Sequence, residues 1–454
     1  MIETALYAQL IVFLAVVVAF GLSRSASLFH PLTFYLLFHF IVFVLRPLMV
    51  YYLHFEGRWL YMGFRPSPDQ FMFTLFVTSM AMLIFAAVCW PMAKTDIDFS
   101  KVNFIEFTPA QTKAIVWTWL LLGPWAIYSA IYSSQAVDYD GISADDTSGG
   151  IQMTFDMTAG ITIYLNTTGY LTDAQTMLGP MSIMLMWRYR FALLSWIPLI
   201  FFILYRAFLG AGRWPMITMI FTLVLLQLLR TKKKWFKIKY FAVFLPIFML
   251  FQSVGFDRNL LRDAITGKQT EVPKFKDDRS WLQKQDNPDF ANFEFLAFIL
   301  AVVPDKSRTY TYFTQYLQLF TEPVPRILWR DKPVGMPIKM VNLNNFGNFI
   351  GLTNSIVGDG WMSGGWIGLL LTMTIVAGVL GIYHRRFWQR PDNPSSVMLY
   401  CTFMPLTIQW FRDGGISIAK FILFTFLPIL VWQFFTRVIE DGSKPVTPFT
   451  RASR

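Results

Sequence analysis

The sequence predicts an all-α, polytopic membrane protein, and three observations carry that prediction. Apolar residues make up 55% of the 454 positions and charged residues 15%, against roughly 25% charged in soluble domains. Mean hydropathy is +0.45. Several apolar runs exceed the roughly 18 residues that mark a membrane-spanning helix. Cys89 and Cys401, the two cysteines, both lie inside apolar runs, which indicates neither a disulfide framework nor a thiolate metal site. The net charge of +11 points to basic inner loops and anionic lipid. No basic tail with interleaved aromatics favours nucleic acid.

The first predicted span covers about residues 5–22. Its leading segment holds Glu3 and no cation, unlike a signal-peptide n-region. Arg24 follows, so the span is expected to stay and to enter with its N-terminus outside. The second, about 31–53, contains Arg46 followed by Pro47. Further spans are predicted at about 71–92, 113–132, 157–187, 191–209, 214–229, 240–255, 361–383, 397–411 and 416–435, about eleven in all. Asn166, Gly169, Asp173 and Gln175 interrupt residues 157–187. That stretch reads as one broken helix, or as a re-entrant piece plus a short helix.

Orientation follows from RTKKKWFKIK at 230–239, which carries six cations in ten residues and belongs in the cytoplasm. Alternating the spans from there puts nineteen Lys and Arg on that side, including Arg24, Arg188, Arg190, Arg385 and the C-terminal tail. The short outer loops carry Arg58, Arg65, Arg206 and Arg213. The chain divides into an N-terminal helix bundle at 1–254, a long extracytoplasmic loop at 255–360, and C-terminal spans with a cytoplasmic tail at 361–454.

The long loop is nearly neutral, with 13 Lys/Arg and 12 Asp/Glu, and is too long for a connector. Within it FEFLAFILAVVP at 293–304 is too short to span, and is expected to dip into or lie on the membrane. YTYFTQYLQLF at 310–320 reads as an aromatic amphipathic helix at the interface. EPVPRILWRDKPVG follows, with Pro323, Pro325 and Pro333 among Arg326, Arg330 and Lys332. Prolines remove backbone donors and exclude a plain helix, leaving a stiff turn that fixes the directions of its cations. Such a cluster near a membrane holds phosphate; as a plain structural loop it would only face water or headgroups.

The remaining singular charges fall in the outer half. Arg213 sits in FLGAGRWP, where Gly210 and Gly212 leave amides open beside a guanidinium; a lone arginine snorkelling from a helix end has the same pattern. Arg412 and Asp413 occupy the turn WFRDGG, and Lys420 lies one to two turns into the next apolar run. Charges inside spans are costly unless they face a cavity or a partner, so Lys420 and Arg46 suggest a polar cavity. Asp359 and Asp413 lie on glycine-flanked turns, GDGW and RDGG, while Glu322 precedes the proline turn. Asp413 is the first candidate for a general base, then Asp359, then Glu322. Each also has a plain role: an ion pair with Arg412, a helix N-cap ahead of Trp361, a cap on the turn.

Taken in order, FLGAGRWPM, PVPRILWRDKP, SIVGDGWMSGGWIG and RDGG resemble the pattern of Wzy-type oligosaccharide repeat-unit polymerases, the family of O-antigen and enterobacterial common antigen polymerases. The resemblance covers roughly the second half of the chain. It implies a metal-independent, GT-C-like glycosyltransferase without a cofactor, at the periplasmic face of a bacterial inner membrane. The substrate would be an oligosaccharide on undecaprenyl pyrophosphate, and a flippase and a chain-length regulator of the same pathway would be partners. Arg213, Arg326 and Arg412, with Arg330, Lys332, Arg46 and Lys420, would bind the pyrophosphate. A ligase that moves finished glycan to a lipid acceptor would use nearly the same donor site. A non-enzymatic glycolipid transporter or flippase would need polar residues through the whole membrane depth.

Overall fold

The computed structural model describes residues 1–95, 97, 99, 107–135, 153–156, 161–164, 173–208, 214–237, 286, 290–321, 324, 328–329, 337–349, 352–389 and 393–442. Their regular secondary structure is helical apart from one short antiparallel strand pair. The helices are α1 (Ile2–Gly21), α2 (Pro31–His39), α3 (Arg46–Tyr52), α4 (Gly57–Met62), α5 (Pro68–Met92) and α6 (Pro109–Gln135), followed by α7 (Leu178–Arg188), α8 (Ile197–Phe208) and α9 (Trp214–Arg230). Then come α10 (Asn292–Val302), α11 (Ser355–Gln389), α12 (Pro394–Asp413) and α13 (Ser417–Gly442). Among the described residues six helical stretches are long and apolar enough to cross a membrane: Ile2–Gly21, Pro31–Tyr52, Pro68–Met92, Pro109–Ile131, Ser355–Gln389 and Phe421–Gly442. The expected span at 240–255 lies outside the described residues.

Local chemistry explains the joints. His30 caps α2, its Nδ1 accepting from the Leu32 amide at 3.1 Å, with Pro31 at the first helical position. Between α2 and α3 the backbone takes a π-helical turn over Phe40–Leu45. Pro47 can donate no hydrogen bond back into that turn, and the wider register absorbs the loss. A capping box of Ser67 and Gln70 starts α5. Helix α11 is two helices joined at Gly364 (φ 172°) and Gly365 (φ 57°). Residues 355–363 fold back on residues 366–389 so closely that a Cβ on Gly360 would lie 3.0 Å from the Leu369 Cα.

Side-chain contacts give the bundle two ends. At one, Phe73 near the start of α5 meets Trp361 at 5.6 Å between ring centroids. At the other, Gly381 of α11 lies against Met92 and Ala93, so α5 and α11 run parallel, their backbones close because glycine permits it. The second end also holds Tyr400, which donates to the Phe29 carbonyl at 2.6 Å and bonds His384. Here too Lys234 Nζ donates to the Arg24 carbonyl at 2.8 Å and Arg188 to Thr112 at 2.8 Å. The basic residues Arg24, Arg188, Arg230 and Lys234 therefore gather at one end of the bundle.

Three elements differ from the sequence expectation. Residues 157–187 are not a helix broken once. Among the described residues, strand β1 (Met153–Asp156) pairs with β2 (Ile161–Tyr164), and a 3-10 turn over Ala174–Met177 leads into α7. The alternating, β-branched ITIY favours a strand. Residues 310–320 form no single amphipathic helix. Tyr312 and Phe313 adopt left-handed φ of 48° and 62°, leaving a 3-10 turn at Thr314–Leu317 and one α turn at Gln318–Thr321. The apolar run at 293–304 is not a helix lying on the surface of the bundle. All eleven residues of α10 are buried inside the bundle, as befits a helix apolar on every side and only about 16 Å long. Phe293 meets Phe71 of α5 at 4.8 Å, and Phe298 stacks on Phe349 at 5.6 Å.

The α5–α11 contact yields a test. A Cβ on Gly381 would sit 2.8 Å from the Met92 Cβ and 3.2 Å from the Ala93 nitrogen, whereas one on Gly378 meets only the Met92 sulfur at 3.3 Å. Gly381→Val should cost about 1–3 kcal/mol by overpacking, seen as a lower unfolding temperature in detergent. Gly378→Ala should change it far less, because a thioether can swing away; the opposite order would contradict the packing.

Candidate functional site

At the end of the bundle away from the basic cluster, five segments converge on the turn Arg412–Asp413–Gly414–Gly415. Helix α12 ends there because Gly414 takes φ 87°, a conformation that suits glycine. Asp359, on the short helical arm 355–363, lies beneath the turn and is buried. Its Oδ2 accepts from the Gly415 amide at 2.9 Å and its Oδ1 from Asn354 Nδ2 at 3.2 Å. Asn292, at the start of α10 and fully buried, donates through Nδ2 to the Arg412 carbonyl at 2.9 Å and to Thr353 Oγ1 at 2.8 Å. The dipeptide Thr353–Asn354 thus touches both residues that grip the turn.

The Arg412 guanidinium lies 5.0 Å over the Trp214 ring, and its Nη1 is 3.2 Å from Asp413 Oδ1. The side chains of Arg412 and Asp413 are 13% and 9% exposed, so this charged pair reaches solvent while Asp359 does not. The arrangement combines a partly desolvated cation with a carboxylate at its side, a pairing that can hold an anion and accept a proton.

The segment 310–316 lies across both glycine pairs. The Tyr310 hydroxyl would be 2.9 Å from a Cβ on Gly365, and the Tyr316 ring would overlap a Cβ on Gly415. The Thr311 amide donates to the Met362 carbonyl at 2.7 Å, Gln315 Nε2 to Ser363 Oγ at 2.7 Å, and Ser363 Oγ to the Asp359 carbonyl at 2.7 Å. Burial, and then the nearby Asp359 carboxylate, hold the Tyr316 phenol well above its ordinary pKa. The faces of Gly414, Gly365 and Gly415 are taken up by Asp359, Tyr310 and Tyr316 respectively.

Arg46 stands apart from the turn. It is 2% exposed and engages Glu294 through Nε at 2.8 Å and also through Nη2, which lies 2.5 Å from Asp286 Oδ1. The Phe55 ring covers it at 5.0 Å. Asp286 Oδ2 accepts from the Gly57 amide at 3.1 Å, which ties the return of the long loop to the start of α4. The carboxylates that hold Arg46 were open to inference. Glu294 is the lone charge in its apolar run and Arg46 the lone charge in its span, and two isolated opposite charges in apolar segments tend to pair. The roles of Asn292 and Asn354 had no such signal, because asparagine is common in loops.

Of the other predicted residues, Arg213, Glu322, Arg326, Arg330 and Lys332 lie outside the described residues. The backbone of Lys420 is described within α13, but not its side chain. Among the described residues no three His, Cys, Asp or Glu side chains form a group that could hold a metal ion. Asp359 is not an N-cap, since helix begins four residues before it at Ser355. Comparison with known proteins returns no match: no family model, no curated protein and no solved structure is similar to this chain.

The triad around Arg46 makes a stability prediction. Arg46→Ala leaves Glu294 and Asp286 buried without their cation, which should destabilise the fold by about 3–5 kcal/mol. The combined change Arg46→Met with Glu294→Leu removes the fully buried pair together, leaves Asp286 on the Gly57 amide, and should recover much of that loss. Thermal unfolding of the detergent-solubilised variants checks this; a double variant no more stable than Arg46→Ala would contradict it.

Proposed function

We propose that this chain is a membrane glycosyltransferase that joins oligosaccharide repeat units carried on undecaprenyl pyrophosphate. The observation that carries the proposal is the meeting of GDGW, SGGW and RDGG, three motifs spread over some fifty-five residues, with the loop segment 310–316 at one end of the bundle. Two of the four motifs on which the family resemblance rests, SIVGDGWMSGGWIG and RDGG, are thereby neighbours in space as well as ordered in sequence. The opposite end holds the basic cluster, which fits a topology of eleven crossings in a GT-C-like bundle. In that topology the site faces the periplasm, and the C-terminus and residues 230–239 face the cytoplasm.

Transfer needs a departing pyrophosphate stabilised and an acceptor hydroxyl oriented. In the proposed step the acceptor oxygen attacks the anomeric carbon of the growing chain. The carbon–oxygen bond to the lipid pyrophosphate breaks, with its electrons leaving on the pyrophosphate, and the hydroxyl proton passes to a carboxylate. Asp413 suits the last task, being beside Arg412 and partly exposed. Asp359 has both oxygens engaged in holding the turn and is assigned to that role. Arg412 would take the pyrophosphate together with Arg213 and Arg326, and Arg330, Lys332 and Lys420 would contribute charge nearby. Arg46 is committed to Glu294 and Asp286 and is given no substrate role. Because arginine binds phosphate in a planar fork, lysine is a poor substitute.

In a strain lacking the gene, single-repeat glycan should accumulate, and the wild-type chain should restore a ladder. Arg412→Lys should reduce elongation roughly ten- to more than a hundredfold, the effect of one charge-assisted contact, and Asp413→Asn should leave almost no polymer. Normal ladders from both variants at matched protein levels would refute these roles, and absence of single-repeat product in the deletion strain would favour a ligase. For orientation, a cysteine replacing Lys274 should react with an impermeant thiol reagent in cells whose outer membrane is permeable, and one replacing Lys233 should not. The reverse pattern would invert the topology.

A further inference from the structure

The main chain of Arg412 is held by a residue that no motif singled out. Asn292 is completely buried, and its Nδ2 donates at once to the Arg412 carbonyl at 2.9 Å and to Thr353 Oγ1 at 2.8 Å, with the Thr353 carbonyl at 3.5 Å. All three neighbours accept, and the Asn292 Oδ1 has no partner among the described residues. The amide orientation is therefore fixed: turned over, its oxygen would face the Arg412 carbonyl oxygen, acceptor against acceptor. The carbonyl of Arg412 lies in the last turn of α12, where helix carbonyls lack partners within the helix. Asn292 supplies that missing donor from a helix packed on every side, since every residue of α10 is buried.

On the far side of the same turn, Asp359 takes the Gly415 amide at 2.9 Å. The turn is gripped at both ends, and between the grips Arg412 projects over Trp214. A flexible arginine ending a helix samples many directions; one whose carbonyl and following amides are pinned samples few, and the entropy of ordering it is already spent before an anion arrives.

We infer that Asn292 is a positioning residue, which fixes the backbone of Arg412 so that its guanidinium is preorganised for the pyrophosphate of the lipid-linked substrate. The inference rests on the polymerase reading above. Asn292 itself touches no substrate and acts only through Arg412.

The test uses the full-length protein in nanodiscs with undecaprenyl pyrophosphate as the probe, its Kd measured for wild type and for Asn292→Asp, Asn292→Ala and Arg412→Ala, singly and combined. Asn292→Asp is nearly isosteric and still meets the Thr353 hydroxyl, which can donate to it, but loses the bond to the Arg412 carbonyl. Asn292→Ala should weaken binding by roughly five- to tenfold, the effect of one lost hydrogen bond, and Asn292→Asp, which sets an acceptor against the Arg412 carbonyl, by at least as much, each with little effect in an Arg412→Ala background. A double-mutant cycle with that non-additive pattern is the signature of action through Arg412. Equal losses in both backgrounds, no loss in either, or variants that fail to fold would each overturn the inference and leave Asn292 a structural residue. A wild-type protein that does not bind undecaprenyl pyrophosphate would overturn the pyrophosphate reading and this inference together, whereas wild-type binding with additive Asn292 losses overturns the inference alone.

Discussion

The pairing of Arg46 with Glu294 is the interaction on which the rest of this end of the molecule depends. An eleven-residue apolar helix can be threaded into the middle of the bundle only if its one carboxylate is met there, because an isolated buried charge costs several kcal/mol. Arg46 meets it and also holds Asp286, six residues before α10. Once α10 is seated, Asn292 reaches Arg412, the Val303 carbonyl accepts from Trp361 Nε1 at 2.8 Å, and Ile299 lies 3.0 Å from where a Cβ on Gly358 would be. Helix α10, within the long loop, is thus part of the core from which the candidate site is assembled.

The two glycine pairs serve that assembly. Gly364–Gly365 folds the arm bearing Asp359 back over α11, and Gly414–Gly415 ends α12 directly above the same carboxylate. Glycine is required at these points for different reasons: a left-handed backbone at Gly414 and Gly365, and room for an aromatic ring at Gly415 and Gly365. Tyr310 and Tyr316 are seated on them, so the glycine faces of both turns are covered by aromatic rings. At the rim Tyr312 is exposed and Arg412 and Asp413 are partly exposed.

Much of the fold was legible in the residues. Runs of apolar side chains announce the long helices because a span needs little more than length and hydropathy. Asp359 and RDGG were visible as glycine-flanked charges, and the structure puts them in contact. What was not legible depends on partners distant in sequence. Whether an apolar run such as Phe293–Val302 lies on a membrane or inside a bundle is decided by the guanidinium 248 positions away that neutralises Glu294. The backbone of 310–320 was misjudged because the pattern of aromatic residues fits a helix face, whereas tertiary seats for Tyr310 and Tyr316 hold Tyr312 and Phe313 in left-handed φ. Asn292 carried no signal at all, since a hydrogen bond to a main-chain carbonyl leaves no trace in a single sequence.

Reconstitution tests the central claim most directly. Purified protein in liposomes, given undecaprenyl pyrophosphate-linked single repeat units from its own host and no other protein, should convert them to a ladder of longer glycans. Each unit joined should release one undecaprenyl pyrophosphate from the growing chain. Repeat units recovered unchanged in length, whether or not they have crossed the bilayer, would contradict a polymerase and leave a transporter or a ligase awaiting its acceptor.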